Sequence, residues 1–445
     1  IQAFLLHTSM LERMCGPLCD AILPDSSVSG QATLEYLERS NLFIVPLDNE
    51  RRWYRYHHLF GDLLHKRLGQ SLTPQGIAGL HLHASGWYEN HDLMLDAFRH
   101  AALANDLERA IRLMESRKMP LHRRGTATTI LDWLETLPET VCNARPVLWW
   151  KQASLMLEIG QTIGVEEKLQ AAEACNGTSR DLTGKIALAR AILACNQFET
   201  ETILAQARRA LEYLDPVSLS YRSMANLMLG YAYFLHSDLT EAGQAYTEAL
   251  TLAQAGADIP NTTLAKYRLG QLQAESNQIH QAAETFQQIL ELISEYSPSN
   301  AAIAYMSLAD INYEWNNLDV AEKYLEQSSQ LAQQYAHVVD RMVLNILYLA
   351  RLKLAQGDVS AAESLTSQAE QTAQLKNIRI RLPDLAYCRA EILLRQGRFA
   401  EVTQLAQQND LPLMHARALI ALGDPTAALG VIEPLPFDDL SPAKV

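Results

Sequence analysis

From residue 181 onward the chain repeats itself about every 40 positions, and that period restricts its fold more than any other feature. A small residue recurs at Ala189, Gly230, Gly270, Ala309, Ala350 and Ala390, with successive spacings of 41, 40, 39, 41 and 40. Other positions keep step with this anchor. Before it stand Leu188, Leu229, Leu269, Leu308, Leu349 and Arg389; twelve residues after it come Glu201, Ala242, Ala282, Ala321, Ala362 and Val402; sixteen after it come Ala205, Tyr246, Phe286, Leu325, Thr366 and Ala406. Two small positions per unit let antiparallel helices approach closely, and the larger residue four places on fills the gap between neighbours. Turn formers separate the helices at Ser237-Asp238, Asn277-Gln278, Asn316-Asn317, Gly357-Asp358 and Gly397-Arg398. A weaker unit, with Gly423-Asp424 as its turn, lies between Pro412 and Pro434.

The pattern resembles the tetratricopeptide repeat, most closely at Gly230, Tyr233, Ala242, Tyr246 and Ala249. The usual period there is about 34, so helices longer by up to a turn are expected. Ahead of the array, residues 71–180 read as irregular helices: Asp92–Leu103, Asp106–Ser116, Thr126–Leu137, Pro146–Gly160 and Glu166–Ala174. Residues 1–70 differ again. Three helical stretches precede the apolar run Leu42–Leu47, a polar turn at Asp48–Arg51 and the aromatic run Arg52–His57, which together read as a hairpin followed by a helix. The expected architecture is mainly α: a small winged-helix head at 1–70, linking hairpins at 71–180, a superhelix of tetratricopeptide-like repeats at 181–436, and a linker or tail at 437–445.

Charge and cysteine usage narrow the function. A formal net charge of −14 disfavours binding along a phosphate backbone, so no direct nucleic-acid contact is expected. No apolar run approaches the about 20 residues of a membrane span, which argues against a membrane partner. Six scattered cysteines without a CxxC pair suit reduced thiols in the cytoplasm, and neither a metal site nor a catalytic residue is expected. Of His81, His83, His91 and His100, none belongs to an HExxH motif, and surface or capping roles are expected for them. Trp133, Trp149 and Trp150 read as packing residues; the last two point about 100° apart on one helix, so at most one enters the main core stripe.

The segments Phe4-Leu5-Leu6-His7-Thr8-Ser9, Gly16-Pro17-Leu18-Cys19-Asp20-Ala21, Leu37–Asp48 and Trp53–Leu64 closely resemble the large ATP-dependent LuxR-type transcription activators of the MalT class, which are signal-transduction ATPases with numerous domains. Trp133-Leu134-Glu135-Thr136-Leu137-Pro138 and Arg145-Pro146-Val147-Leu148 are similar to the same family's first helical region. The chain opens on Ile1 and contains neither a GxxxxGK[ST] loop nor a LuxR-type helix-turn-helix, so it reads as the middle and sensor part of a longer regulator. No cofactor is then expected in this stretch, with ATP or ADP bound elsewhere in the full-length protein.

The resemblance singles out His57 and His58. In related ATPases a histidine at the end of the wing approaches the ADP phosphate of the resting state; Tyr56-His57-His58-Leu59 resembles that motif, with His58 in place of its acidic residue. The alternative is that His57 ends a strand and caps the next helix. The second candidate is the concave face of the array. The position after each anchor reads Arg190, Tyr231, Gln271, Asp310, Arg351 and Glu391, and a companion row three before the anchor reads Ile186, Leu227, Tyr267, Met306, Leu347 and Tyr387, with Tyr313 and Trp315 near Asp310. Aromatic rings interleaved with Arg, Gln and Asp suit a small polar ligand. The plainer reading is an inner surface crossed by the ion pairs Asp310–Arg351 and Arg351–Glu391. The expected function is that of an inducer-sensing and autoinhibitory region acting on its own ATPase domain, with self-oligomerisation of the activated protein. The alternative is a scaffold whose concave face holds a peptide or regulatory protein.

Overall fold

A computed structural model describes residues 1–23, 28–116, 119, 125–195, 197, 199–293, 298–334, 339–375 and 381–435. The stretch 437–445, read as a linker or tail, lies outside them. The chain forms two compact units, Ile1–Trp133 and Leu134–Val445, so the division falls within the stretch read as linking hairpins.

The first unit opens with α1 (Gln2–Thr8), α2 (Gly16–Ile22) and α3 (Gly30–Arg39), then β1 (Ile44–Pro46), β2 (Tyr54–Tyr56) and α4 (His58–Ser71). The strands pair antiparallel with Ile44 opposite Tyr56 and Pro46 opposite Tyr54, giving the expected three helices, wing and closing helix. Asp48 closes the wing turn by accepting from the N–H groups of Arg52 and Trp53 at 3.0 and 2.8 Å. Tyr54, fully buried, ties the wing to the helices through a backbone bridge to Met14. The unit continues through α5 (Pro74–Asn90), α6 (Met94–Leu103), α7 (Leu107–Met114) and α8 (Thr126–Thr136).

His81 and His100 depart from the expected surface or capping roles. They lie on the inner faces of α5 and α6, buried, with their Nδ1 atoms 2.8 Å apart and Tyr88 stacked on the His100 ring. One ring donates and the other accepts, which requires the accepting ring to stay neutral. Burial lowers His81 to about 4, helped by His65, and lowers His100 to about 3, helped by His81 and Arg99. The positional pattern concealed this pairing because the two histidines sit on different helices, 19 residues apart. His83 and His91 are exposed, as expected.

The second unit begins with α9 (Glu139–Ala144), α10 (Pro146–Glu158) and α11 (Val165–Ala174). Trp149 and Trp150 are both buried, each against a different neighbour: Trp149 donates to Asn143 Oδ1 at 2.8 Å, and Trp150 donates to the Lys185 carbonyl at 3.2 Å. Six hairpins follow. They are α12 (Arg180–Cys195) with α13 (Thr200–Tyr213), α14 (Leu219–Leu235) with α15 (Leu239–Ala255), α16 (Ile259–Glu275) with α17 (Ile279–Ile293), α18 (Pro298–Glu314) with α19 (Leu318–Gln334), α20 (Val339–Ala355) with α21 (Val359–Leu375), and α22 (Leu382–Arg395) with α23 (Phe399–Gln408). A shorter pair, α24 (Pro412–Ala421) and α25 (Pro425–Ile432), ends the described array. The helices of α14 to α16 and α18 to α21 are 17 residues long, which accommodates the extended period. Among the described residues no helix is long and apolar enough to cross a membrane.

Each turn after the first places its left-handed residue seven positions beyond the anchor: Ser237, Asn277, Asn316, Gly357 and Gly397. The next N–H reaches back to a carbonyl five residues earlier, as Asp238 does to Tyr233 and Asp358 to Lys353, closing the helix end. The side chains of Asp238 and Asp358 then cap the following helix, accepting from Glu241 and Ala361 N–H at 3.2 and 2.9 Å.

The anchor glycines pack against rings. A Cβ on Gly230 would lie 2.5 Å from Tyr246, and one on Gly270 would lie 2.7 Å from Phe286. Where the anchor is alanine the facing residue shrinks, to Leu325, Thr366 and Ala406, all buried. The first hairpin breaks the expected register, because α13 begins eleven residues after Ala189 whereas later second helices begin nine after their anchors. Glu201 and Ala205 are therefore exposed, and Ile203 and Ala207 occupy the buried places.

Two expectations follow. Gly230→Ala should destabilise the array by about 1–2 kcal/mol, since overpacking outweighs the gain in helix propensity, and adding Tyr246→Leu should recover most of it in denaturant melts. Because both histidines have depressed values, the first unit should lose stability as pH falls below 6.5 toward 3, with a slope up to ~1.4 kcal/mol per pH unit for each ring. Thermal melts of a His81→Gln, His100→Gln chain should show that slope flattened.

Candidate functional site

The first helices of the hairpins line the inner face, and three of the predicted residues form a continuous charge ladder there with one addition. Asp310 on α18 lies 3.8 Å from Arg351 on α20, Arg351 lies 3.8 Å from Glu391 on α22, and Glu391 lies 3.8 Å from Arg417 on α24. The ion pairs expected from the plainer reading are thus present. Arg417 follows Ala416, an unrecognised anchor only 26 residues after Ala390 and seven before the left-handed Gly423. The shortened last unit hid it from a search at 40.

Aromatic rings surround the ladder. The Arg351 guanidinium lies 5.1 Å from the centroid of Tyr313, 5.7 Å from Tyr348 and 5.8 Å from Tyr387. Its Nε makes no hydrogen bond and is shielded from solvent. Desolvation works against the Arg351 charge, yet Asp310, Tyr348 and Glu391 hold the guanidinium protonated, with its value raised. The Asp310 side chain is 38% exposed along the lumen, but surrounding protein raises its carboxyl to about 6, with Arg351 opposing the shift. The negative charge of Asp310, more than burial, raises the facing Tyr348 phenol.

A second cluster lies toward the start of the array. Arg268 on α16 sits 4.7 Å from the Tyr231 ring and 5.7 Å from the Tyr267 ring, and donates to Gln271 Oε1 at 2.9 Å. The structure therefore brings Tyr231, Tyr267 and Gln271 together around a residue that the sequence rows omitted. Arg268 and Tyr348 both lie two before their anchors, one helical turn from the row that follows it. Reading that row's neighbours at i−3 would have found both.

The companion row is mostly core. Ile186, Leu227, Met306 and Leu347 are buried between helices, while Tyr267 and Tyr387 are half-buried and reach an arginine through their rings. Trp315 stacks on His280 at 4.9 Å. Arg190 is held by Glu166 and Glu173 of α11, with Nη2 at 2.8 Å from each and Nε at 3.1 Å from both Glu166 oxygens. It is a clamp between helices, with its Nε and Nη2 donors spent on protein.

His57 and His58 are in the first unit. His57 N–H donates to the Phe43 carbonyl at 2.7 Å, and its own carbonyl accepts from Phe60 and Gly61, so its backbone joins strand to helix without a side-chain cap. Both imidazoles are exposed, 4.4 Å apart by centroid. Exposed Phe43, Val45 and Leu47 on the wing and Leu59 and Leu63 on α4 accompany them. Among the described residues no group of three or more His, Cys, Asp or Glu is placed to hold a metal ion.

Comparison with known proteins agrees with this architecture. Residues 1–75 match the family described as the MalT winged helix domain, and residues 184–436 match the MalT-like TPR region. The serine/threonine-protein kinase PknK of Mycobacterium tuberculosis is 26% identical over 396 residues, covering 87% of this chain and 35% of that protein. The HTH-type transcriptional regulator MalT of Vibrio campbellii is 24% identical over 375 residues, covering 81% of the chain and 40% of that protein. The chain thus spans well under half the length of these two relatives. Among solved structures, a signal transduction ATPase with numerous domains and a tetratricopeptide repeat sensor from Pyrococcus horikoshii aligns over 100% of this chain and 65% of its own, with a TM-score of 0.59 at 13% identity. The apo quorum sensor NprR from B. thuringiensis aligns over 78% of this chain and 98% of its own, with a TM-score of 0.52 at 15% identity. With the repeat match covering more than half of its length, the chain belongs to the MalT-like family, a winged-helix domain followed by a MalT-like tetratricopeptide region.

Proposed function

We propose that the array is the signal-receiving part of an ATP-dependent transcription activator, taking up a small-molecule inducer on its inner face and relaying occupancy to an ATPase domain elsewhere in the protein. The observation that carries this reading is the lumen's lining: Tyr313, Tyr348 and Tyr387 around Arg351, with a partly exposed Asp310 beside them. Apolar ring faces with a few convergent polar groups are what a polar organic ligand needs. The relatives support a receiving role that is separable from output, since the same stretch aligns with a protein kinase and with a transcriptional regulator.

Relay requires the inducer to bind two states of the protein with different affinity. The exposed apolar residues of the wing and α4 offer a face for the ATPase domain, and His57 and His58 project there as N–H donors for the phosphate of bound ADP. ATP would supply the switch between resting and self-associated forms. The peptide- or protein-binding scaffold remains the second reading, favoured by the likeness in fold to a quorum sensor.

Asp310→Asn is the informative variant, because burial already works against the Asp310 charge, raising its carboxyl to about 6, and the amide is freed of that penalty. In a thermal-shift and calorimetric screen of sugars, amino acids and short peptides, one compound class should stabilise the chain. Asp310→Asn should weaken that binding by about 10- to 100-fold without lowering the melting temperature. Arg190→Met should do the reverse, costing about 1–3 kcal/mol of stability and leaving affinity unchanged. A full-length protein that responds to its inducer while this chain binds none of these compounds would remove sensing from the array. A stoichiometric protein partner in pull-downs, with no small-molecule response, would favour the scaffold.

A further inference from the structure

Four arginines of the array belong to the inner-face clusters or rows, and their electrostatic surroundings differ; Arg417, at the end of the ladder, has Glu391 at 3.8 Å. Arg190 is paired with two glutamates at 2.8 Å. Arg351 stands between Asp310 and Glu391 at 3.8 Å each. Arg268 has only the neutral Gln271 amide as a hydrogen-bond acceptor among the described residues, and no described carboxylate lies within 4.0 Å of it.

A half-buried guanidinium without a counter-ion loses hydration that nothing replaces in full. The Tyr231 and Tyr267 faces return part of it, about 0.5–2 kcal/mol for a cation over a ring. The charges of both Arg268 and Arg381 act on the Tyr231 hydroxyl, while Arg381 has its own carboxylate, Asp384, at 3.3 Å. In a chain of net charge −14, carboxylates are plentiful: Arg190 and Arg351 have each taken two, and Arg417 one. Only one of the five N–H donors of Arg268 meets an acceptor among the described residues, and the planar fork is the shape that pairs two-to-two with an oxyanion.

We infer that Arg268, seated on the Tyr231 and Tyr267 rings, is the oxyanion receptor of the inner face, so that the molecule bound there is a small organic anion presenting a carboxylate or a phosphate. This rests on the inner face being the inducer site. The same molecule would meet Tyr348 and Asp310 with its uncharged or hydroxyl-bearing part, because the Asp310 carboxylate repels a second anion and the neutral Tyr348 phenol offers it only a hydrogen bond.

Arginine-selective modification with phenylglyoxal, mapped by peptide mass spectrometry, tests the receptor directly. In the intact chain Arg268 should react faster than Arg190. At about 10 mM, phosphate or citrate should slow its reaction about tenfold for a millimolar site, against sodium chloride of equal ionic strength, with no such protection of exposed Arg208. Stronger protection by phosphate than by citrate assigns a phosphoryl group, and the reverse assigns a carboxylate. Equal protection at Arg268 and Arg208, or none, overturns the proposal. In the full-length protein, Arg268→Gln should abolish the inducer response and Arg268→Lys should restore part of it. Protection of Arg268 together with an unchanged response in Arg268→Gln would leave the anion receptor standing and remove the inducer reading. A lost response without protection would do the opposite.

Discussion

The array depends on one packing relation, the fit between a small residue on the first helix of each hairpin and the residue that faces it from the second. Gly230 meets Tyr246 and Gly270 meets Phe286 at distances that leave no room for a methyl group. Interiors packed to crystal density transmit such constraints, so the glycine fixes how closely the two helices approach. Successive cores then share helices: the one around Tyr246 draws on α14, α15 and α16 together. Each hairpin is thereby stacked on the next, and a repeat protein is as regular as this contact allows.

That regularity decides what faces inward. Once the anchor is buried, the residue after it and the one two before it are turned toward the lumen, and the charged and aromatic groups from separate repeats come into line. Asp310, Arg351, Glu391 and Arg417 arise from four different hairpins yet form one ladder. Their alternation in sign neutralises the ladder internally, whereas Arg268 lies outside it with its charge uncompensated among the described residues.

Much of this was legible in the residue order. The period, the anchor, the turns and the winged-helix element order all follow from small, apolar and turn-forming residues at fixed spacing. Register within a hairpin was less legible. A turn lengthened by two residues moved the buried places in the first hairpin to Ile203 and Ala207, and a shortened unit concealed Ala416 and Arg417. Contacts between helices were least legible. The His81–His100 pair and the capture of Arg190 by Glu166 and Glu173 depend on side chains from separate helices converging, which no single helical pattern records.

The ladder also differs in kind from the bonds around Arg190. Hydrogen bonds at 2.8 Å are directional and are lost when stretched by an ångström, so α11 and α12 resist sliding past each other. Ion pairs at 3.8 Å obey a gentler law, and the same ångström weakens their Coulomb attraction by about a fifth. The contacts along the row after the anchors therefore change in kind along the array, from directional hydrogen bonds at Arg190 to distance-tolerant ion pairs at Asp310, Arg351 and Glu391.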